Sequence, residues 1–445
     1  MNKEKRPSKD SFEDRIENIR PEDIKKVLQV FRYKLNNQSA AYLNSCVHCG
    51  LCADSCHYYL ATGEIPSIPA YKLGLIEKIF KKNFTFLGRK APGWVKAKDL
   101  TKDMLREWID SLFGRCTLCG RCSLNCSVGL NIAYLIRAAR GALASVGLVP
   151  PGLQSTIDTA IEKGNNMGLP KEDWIETVEW LEEELRAEVN DPQAEIPLDR
   201  KGSRLLYTVN PREPMFFPLS IVAVAKIFYA ARESWTLSSE NYDVTNYGFY
   251  SGDDDVSALI SERLVKSMEK LGTQTLVLAE CGHGFNSNRW EAPEWLTRKY
   301  GFEVKSILQI VTEYIQKGRL KLDPSKNPEP VTLHDPCNLV RFGGIVEEQR
   351  YILKQAAARF IEMNPNRENN FCCGGGGGQL AMTRFAKRRL EAGKIKADQI
   401  KETEAKIVAS PCHNCIDQLL ELSKHFDLRV KIKTVAEIVA DALII

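Results

Sequence analysis

SCVHCGLCADSC at residues 45–56 and RCTLCGRCSLNC at residues 115–126 share one spacing, C-x2-C-x2-C-x3-C. The first run supplies Cys46, Cys49, Cys52 and Cys56, the second Cys116, Cys119, Cys122 and Cys126. Zinc sites usually pair two C-x2-C knuckles around a tetrahedron, and disulfide frameworks belong to small secreted chains. Three thiols at two-residue gaps with a fourth after three suit a four-iron cubane, in which each iron takes one thiolate. In proteins with two such runs the fourth cysteine of each run ligates the other cluster. The spacing therefore assigns Cys46, Cys49, Cys52 and Cys126 to one [4Fe-4S] cluster and Cys116, Cys119, Cys122 and Cys56 to a second. His57 and Ser127 follow the fourth cysteines where proline is common, which changes the hydrogen bonding available to each cluster.

Thirteen of the 14 cysteines fall into spaced groups. Beyond the two runs, Cys337, Cys372, Cys373, Cys412 and Cys415 read as C-x34-C-C-x38-C-x2-C, and Cys281 stands apart. The chain has 445 residues, 44% hydrophobic and 27% charged, enough for two or three domains. No run of 18 apolar residues suggests a membrane span; the nearest, 216–231, is broken by Pro218 and Lys226 and reads as a buried helix. A thiol-rich chain without a signal peptide is expected in the cytoplasm.

Charge is unevenly spread. Residues 72–102 carry nine Lys or Arg against Glu77 and Asp99, and residues 171–195 carry ten acids against Lys171 and Arg186. Both can be solvated faces. The basic stretch, with Phe80, Phe84, Phe86 and Trp94 interleaved, also suits docking to an acidic redox partner or an anionic membrane face. Nucleic acid is not expected as a partner, since no binding motif accompanies the patch.

The expected order is an N-terminal helical arm over 1–40, an α-helical ferredoxin domain over 41–150, an acidic helical linker over 151–202, and two α/β halves over 203–330 and 331–445. Arg20-Pro21-Glu22-Asp23 reads as a helix start, and 131–144 is apolar at helical spacing. From about 203, strands at 204–209, 275–279, 331–334 and 406–409 alternate with helices at 257–271, 346–358, 384–402 and 416–425. That alternation predicts parallel sheets. The two halves also echo one another. Asn370-Phe371-Cys372-Cys373-Gly374 leads through a helix and a strand to Ser410-Pro411-Cys412-His413-Asn414-Cys415. Gly248-Phe249-Tyr250-Ser251-Gly252 leads likewise to Glu280-Cys281-Gly282-His283-Gly284. The overlay matches Cys281 to Cys412 and puts Tyr250 and Ser251 where the second half has its cysteine pair. A degenerate duplication is the expectation.

Cys372-Cys373-Gly374 with C-x2-C downstream resembles the cysteine-rich CCG domain of heterodisulfide reductases and glycolate oxidase-type iron–sulfur subunits. With 59 residues between the two N-terminal runs, residues 41–150 are similar to the α-helical ferredoxin domain of succinate dehydrogenase-type subunits. Ferredoxin module then duplicated CCG region is the order found in the D-type component of heterodisulfide reductase. It is also that of the related DsrK, HmcF and TmcB subunits of membrane complexes in sulfate reducers, anaerobes that respire sulfate. The resemblance spans roughly 41–440 and is nearer the TmcB and HmcF types.

It implies that Cys337, Cys372, Cys373, Cys412 and Cys415 hold a third iron–sulfur centre, cubane or non-cubane, that acts on a thiol or disulfide. Gly374 to Gly378 allow tight folding around that bulk; the run lacks the G-K-[ST] of a phosphate loop. Cys281 is expected in or beside this centre, and His283, His334 and His413 are expected to supply protons there. The implied partners are a membrane cytochrome b-type subunit, a multihaem cytochrome c, and a small thiol/disulfide protein or small-molecule disulfide. The implied location is the cytoplasmic face of the inner membrane, peripherally bound. Two other readings stay open: a pure electron conduit, and the iron–sulfur subunit of a flavin-dependent 2-hydroxy-acid oxidase.

Overall fold

The structure, a computed structural model, describes residues 9–445; the first eight residues of the expected N-terminal arm lie outside it. Two compact units divide the chain.

The first unit holds the residues up to Ser155 together with Gly248–Asp254 and Gly374–Ile395. Its frame is helical. Pro21 opens the helix Pro21–Lys34 at the position where its missing N–H costs nothing. The helices Pro69–Phe84, Lys102–Trp108 and Ile132–Ala144 complete the frame. Each buries an apolar stripe: Val27 and Phe31, Leu73 and Ile76, Leu105 and Trp108, Leu135 and Ala139. Phe31 and Trp108 meet edge-on with ring centroids 6.1 Å apart. A π-helical turn, Ile109–Phe113, follows Trp108 and delivers the chain to Cys116; such turns are frequent at functional sites.

The second unit contains two parallel sheets. The first comprises β1 (Leu205–Tyr207), β2 (Trp235–Thr236), β3 (Thr275–Leu278) and β4 (Glu303–Ser306) in the order β2-β1-β3-β4. The second comprises β5 (Val331–Leu333), β6 (Phe360–Ile361), β7 (Ile407–Ala409) and β8 (Lys431–Lys433) in the order β6-β5-β7-β8. Leu205 pairs with Thr275 in one and Val331 with Ile407 in the other. The central strands are buried along their length, which is why they read as apolar runs. After its fourth strand each sheet continues into a helix with a capping box: Ser306 with Gln309 opens Ile307–Gln316, and Thr434 with Glu437 opens Val435–Ala442. One continuous apolar core runs from Trp174 to Leu443 through both sheets.

The structure departs from the sequence reading in several places. The four outer strands went unforeseen: Trp235–Thr236 and Phe360–Ile361 are only two residues long, and Glu303–Ser306 and Lys431–Lys433 are mostly polar. The helix expected over 384–402 is interrupted at Gly393, between Ala386–Ala392 and Lys394–Thr403. The acidic helix Lys171–Val189 is not a free linker: Trp174, Val178, Leu181 and Leu185 bury one face of it in the core of the second unit. Lys72, counted in the basic stretch, is fully buried. The compact units also do not follow the linear division, since Gly248–Asp254 and Gly374–Ile395 group with the first.

Candidate iron–sulfur sites

In the first unit the eight cysteines of the two runs line two apolar pockets. Cys46, Cys49, Cys52 and Cys126 share one with Ala70 and Leu130. Cys56, Cys116, Cys119 and Cys122 share the other with Tyr58 and Ile136. The fourth thiol of each run thus lies in the pocket of the other. Each pocket encloses about 380 Å³ of space free of protein atoms, part of it open to solvent.

The local backbone explains how the loops wrap these spaces. His48 and Gly50 lie at φ 52° and 84°, and Leu118 and Gly120 at φ 55° and 75°, so both C-x2-C-x2-C turns repeat the same left-handed pattern. Left-handed backbone at a residue other than glycine is costly and concentrates at functional sites. Here it turns amide groups towards the sulfurs: the Leu118 N–H donates to Cys116 Sγ at 3.4 Å.

The donor set fits clusters. Burial pushes the Cys52 thiol up to about 11 and raises Cys56 and Cys122 as well, so without a metal these thiols keep their protons. Beside the second pocket lie two fully buried cations. Lys72 Nζ donates to the Arg115 carbonyl at 2.5 Å. Arg140 donates to the carbonyls of Leu112, Cys116 (2.6 Å), Tyr250 (2.8 Å) and Gly377 (2.9 Å). Among the described residues no carboxylate pairs with either. A buried unpaired cation is expensive, and four thiolates around an iron–sulfur core supply the missing negative charge.

In the second unit the remaining cysteines gather beyond the C-terminal ends of central strands, where open parallel sheets place their sites. Cys281 follows β3 and caps the turn Gly282–Asn286. His334 follows β5, and Cys337 caps the π-helical turn Asn338–Phe342. Cys412 follows β7 and caps the helix His413–Phe426, with Cys415 in its first turn. The backbone amide of His413 donates to the Glu280 carbonyl at 3.1 Å, linking the two segments. Gly282 is closely packed: a Cβ there would stand 3.2 Å from the Leu339 nitrogen, so a larger residue would press on the turn that follows Cys337.

All six cysteines of this site are buried. Ligand atoms of His334, Cys373 and Cys415 lie within 4.8 Å of one another. Cys415 shares hydrogen bonds with Cys373 and Cys412, and Cys281 interacts with Cys412. Cys281 Sγ lies 3.4 Å from His283 Nδ1. The Cys372 charge acts on His334 and on buried Lys396.

The three histidines differ. Burial pushes His283 and His334 down to about 3, leaving neutral imidazoles. Burial also opposes charge on His413, but the Glu213 carboxylate 3.3 Å away outweighs it and lifts His413 to about 9.

Sequence reasoning missed the groups that brace this site. Arg350 donates to Asp335 at 2.9 and 2.7 Å and to Glu362 at 2.8 Å, with Arg350 and Asp335 both about 1% exposed. Asp335 also accepts the Arg367 amide at 2.7 Å. The pair thereby fixes the Asp335-Pro336-Cys337 turn. An aspartate two residues before a ligand-type cysteine was the only signal, and nothing local pointed to Arg350.

Residues 42–130 match the 4Fe-4S dicluster domain and residues 331–419 the cysteine-rich CCG domain. The chain is 26% identical over 409 residues to the Hdr-like menaquinol oxidoreductase iron–sulfur subunit of Archaeoglobus profundus, covering 81% of this chain and 72% of that one. It is 26% identical over 404 residues to the D component of the dihydromethanophenazine:CoB–CoM heterodisulfide reductase of Methanosarcina barkeri, covering 90% and 94%. It is 22% identical over 428 residues to the EtfAB:quinone oxidoreductase of Syntrophomonas wolfei, covering 90% and 58%. The chain is a homologue of heterodisulfide reductase-type iron–sulfur subunits and carries the cysteine sets for two [4Fe-4S] clusters and a further centre at its CCG motif. No helix among the described residues is long and apolar enough to cross a membrane.

Proposed function

We propose that this chain is the electron-transfer subunit of a membrane-associated redox complex, passing electrons between a quinone- or haem-bearing membrane partner and a CCG centre that acts on a thiol or disulfide. The observation that carries it is the pairing, in one chain, of two four-thiol pockets with a separate buried site of five spaced cysteines, Cys281 and His334. The names of the relatives, menaquinol and quinone oxidoreductases, support a quinone-linked partner. Bound clusters supply one-electron transfer. The protein positions their ligands and sets the charge around them; it buries the six cysteines of the CCG site, while Cys49 at the first pocket is exposed. Co-purifying subunits test the reading: a flavoprotein partner in place of a membrane quinone or haem subunit would overturn it.

The two α/β halves are read as a duplication. Their identical strand order and the matching capped helices after β4 and β8 support this. On that reading Cys281 belongs to the CCG centre. Cys281→Ala should alter the spectrum of that centre while the cubane signals persist. An unchanged spectrum with only a slightly lower melting temperature would make Cys281 a packing residue.

The pocket geometry supports crossed ligation. Cys49→Ala or Cys119→Ala should each cost one cubane and leave the CCG centre assembled, as read by iron and sulfide analysis with paramagnetic resonance. Loss of all iron in either variant would contradict modular assembly.

Peripheral membrane association is assigned to the segment between the runs. Phe86 is 69% and Trp94 79% exposed, Leu87 is exposed with them, and Arg89, Lys90, Lys96 and Lys98 are exposed on the same stretch of chain. Exposed aromatics among cations suit an anionic lipid surface. Charge reversal at the exposed Arg89, Lys90, Lys96 and Lys98 should weaken membrane binding, most at low salt, because exposed charges act over about 10 Å at 0.1 M; Lys81 and Lys82 are half-buried and paired with Glu77 and Asp99. Binding that ignores both the variant and the salt would reduce the segment to a solvated face.

A further inference from the structure

We propose that His334 is itself a ligand of the CCG centre, sharing one iron with Cys373 and Cys415. The proposal rests on the reading of that site as an iron–sulfur centre, and is independent of what the centre acts on.

Position comes first. His334 is the first residue beyond β5, and its backbone amide donates to the Ala409 carbonyl at 2.9 Å. Its main chain is thereby tied to β7, the strand that leads into Cys412 and Cys415, so its side chain emerges among the cysteines from a rigid support.

The second observation is the state of the ring. His334 is completely buried, and neither Nδ1 nor Nε2 has a hydrogen-bond partner among the described residues. Buried polar groups are nearly always satisfied, and each exception calls for an explanation such as a bound ion. The other two histidines have named neighbours: His413 Nε2 faces Glu213 at 3.3 Å, and His283 Nδ1 faces Cys281 Sγ at 3.4 Å.

The third is the distance. A ring nitrogen of His334 and the sulfurs of Cys373 and Cys415 lie within 4.8 Å of one another. Metal bonds of about 2.0–2.3 Å in a tetrahedral site hold ligand atoms roughly 3.5–3.8 Å apart, so small side-chain adjustments suffice. A neutral imidazole is also the form that binds a metal.

The consequence is electronic. A neutral imidazole adds no charge to the five thiolates, whereas a thiolate in its place would add one; exchange of thiolate for imidazole is what raises the potential of Rieske-type centres. His334 would let a site rich in thiolates accept an electron more readily than an all-cysteine site.

The test uses the cluster-loaded protein from cells supplied with 15N-histidine, read by pulsed electron paramagnetic resonance. A strongly coupled 15N nucleus is expected on the CCG-centre signal and on neither cubane signal. It should vanish in His334→Gln. His334→Cys, which adds a thiolate at that position, should lower the midpoint by at least the equivalent of tenfold in the one-electron equilibrium, about 59 mV. A CCG-centre signal without strong nitrogen coupling, or coupling that survives in His334→Gln, overturns the ligand assignment while leaving the proposed function standing. If the variants fail to assemble the centre, the labelled wild-type protein decides alone. Wild-type protein with only about eight irons, enough for two cubanes, and no third signal overturns both.

Discussion

Arg140→Met is expected to destabilise the first unit by about 3–5 kcal/mol, the range for breaking a buried charged network from one side, and to lower the potential of the neighbouring cubane. Arg140 is fully buried and gathers four carbonyl oxygens from three segments, those of Leu112 and Cys116, of Tyr250 and of Gly377. Methionine fills similar volume but donates nothing, so those carbonyls lose their common donor in a dry interior, each at a cost of about 1–3 kcal/mol where no water replaces it.

The site has little freedom to relax. Gly377 lies at φ +65°, and a Cβ there would stand 2.7 Å from the Thr117 backbone, so the glycine run and the Cys116 loop are already in close contact. The electrostatic part follows from sign. A cation beside a cluster stabilises the reduced form, and removing it favours the oxidised form. Arg140→Lys separates the two effects: it keeps the charge but loses the planar fork, so stability should fall while the potential stays near that of the wild type. Denaturant unfolding and redox titration of the same samples check both. A methionine variant unchanged in stability and potential would mean that Arg140 bears neither load.

The cysteine spacings carried the site because metal ligation imposes fixed short intervals on a chain. The crossing of Cys56 and Cys126 between pockets, read from two spacings alone, has its counterpart in the lining of those pockets. The central strands were legible because burial on both faces makes them apolar along their length. The outer strands were not: Lys431–Lys433 and Trp235–Thr236 are strands because a neighbour offers its ladder, a property of partners far along the chain. The same limit hid Arg140, whose partners lie up to 237 residues away. Arg350 has its carboxylate partners only 12 and 15 residues away and was missed because an arginine on a helical stretch reads as surface until the fold closes over it. The regrouping of Gly374–Ile395 with the first unit was invisible for a related reason. Glycine-rich sequence announces close approach but not what approaches.

Cys373→Ser is expected to abolish the proposed thiol/disulfide chemistry and the CCG-centre signal while both cubanes stay reducible. Cys373 is buried, shares a hydrogen bond with Cys415, and lies within 4.8 Å of both the Cys415 sulfur and a His334 ring nitrogen. Its loss therefore removes the sulfur that the other two donors converge upon. Serine is nearly isosteric, so packing changes little, but its hydroxyl is a far poorer ligand for iron than a thiolate and holds its proton at neutral pH. Cys372→Ser should be as severe, since the adjacent Cys372 is buried in the same site and belongs to the same proposed ligand set. The cubanes should survive in both variants, because their eight cysteines all lie between residues 46 and 126 and line pockets that contain neither residue. Burying a serine hydroxyl without a partner costs about 1–3 kcal/mol, so a lowered melting temperature alone is not evidence of a lost centre. The deciding measurements are iron content, the CCG-centre signal and turnover with a disulfide, taken on protein whose cubane signals are intact. Undiminished turnover in Cys373→Ser would move the chemistry away from the cysteine pair and make the buried site a structural one.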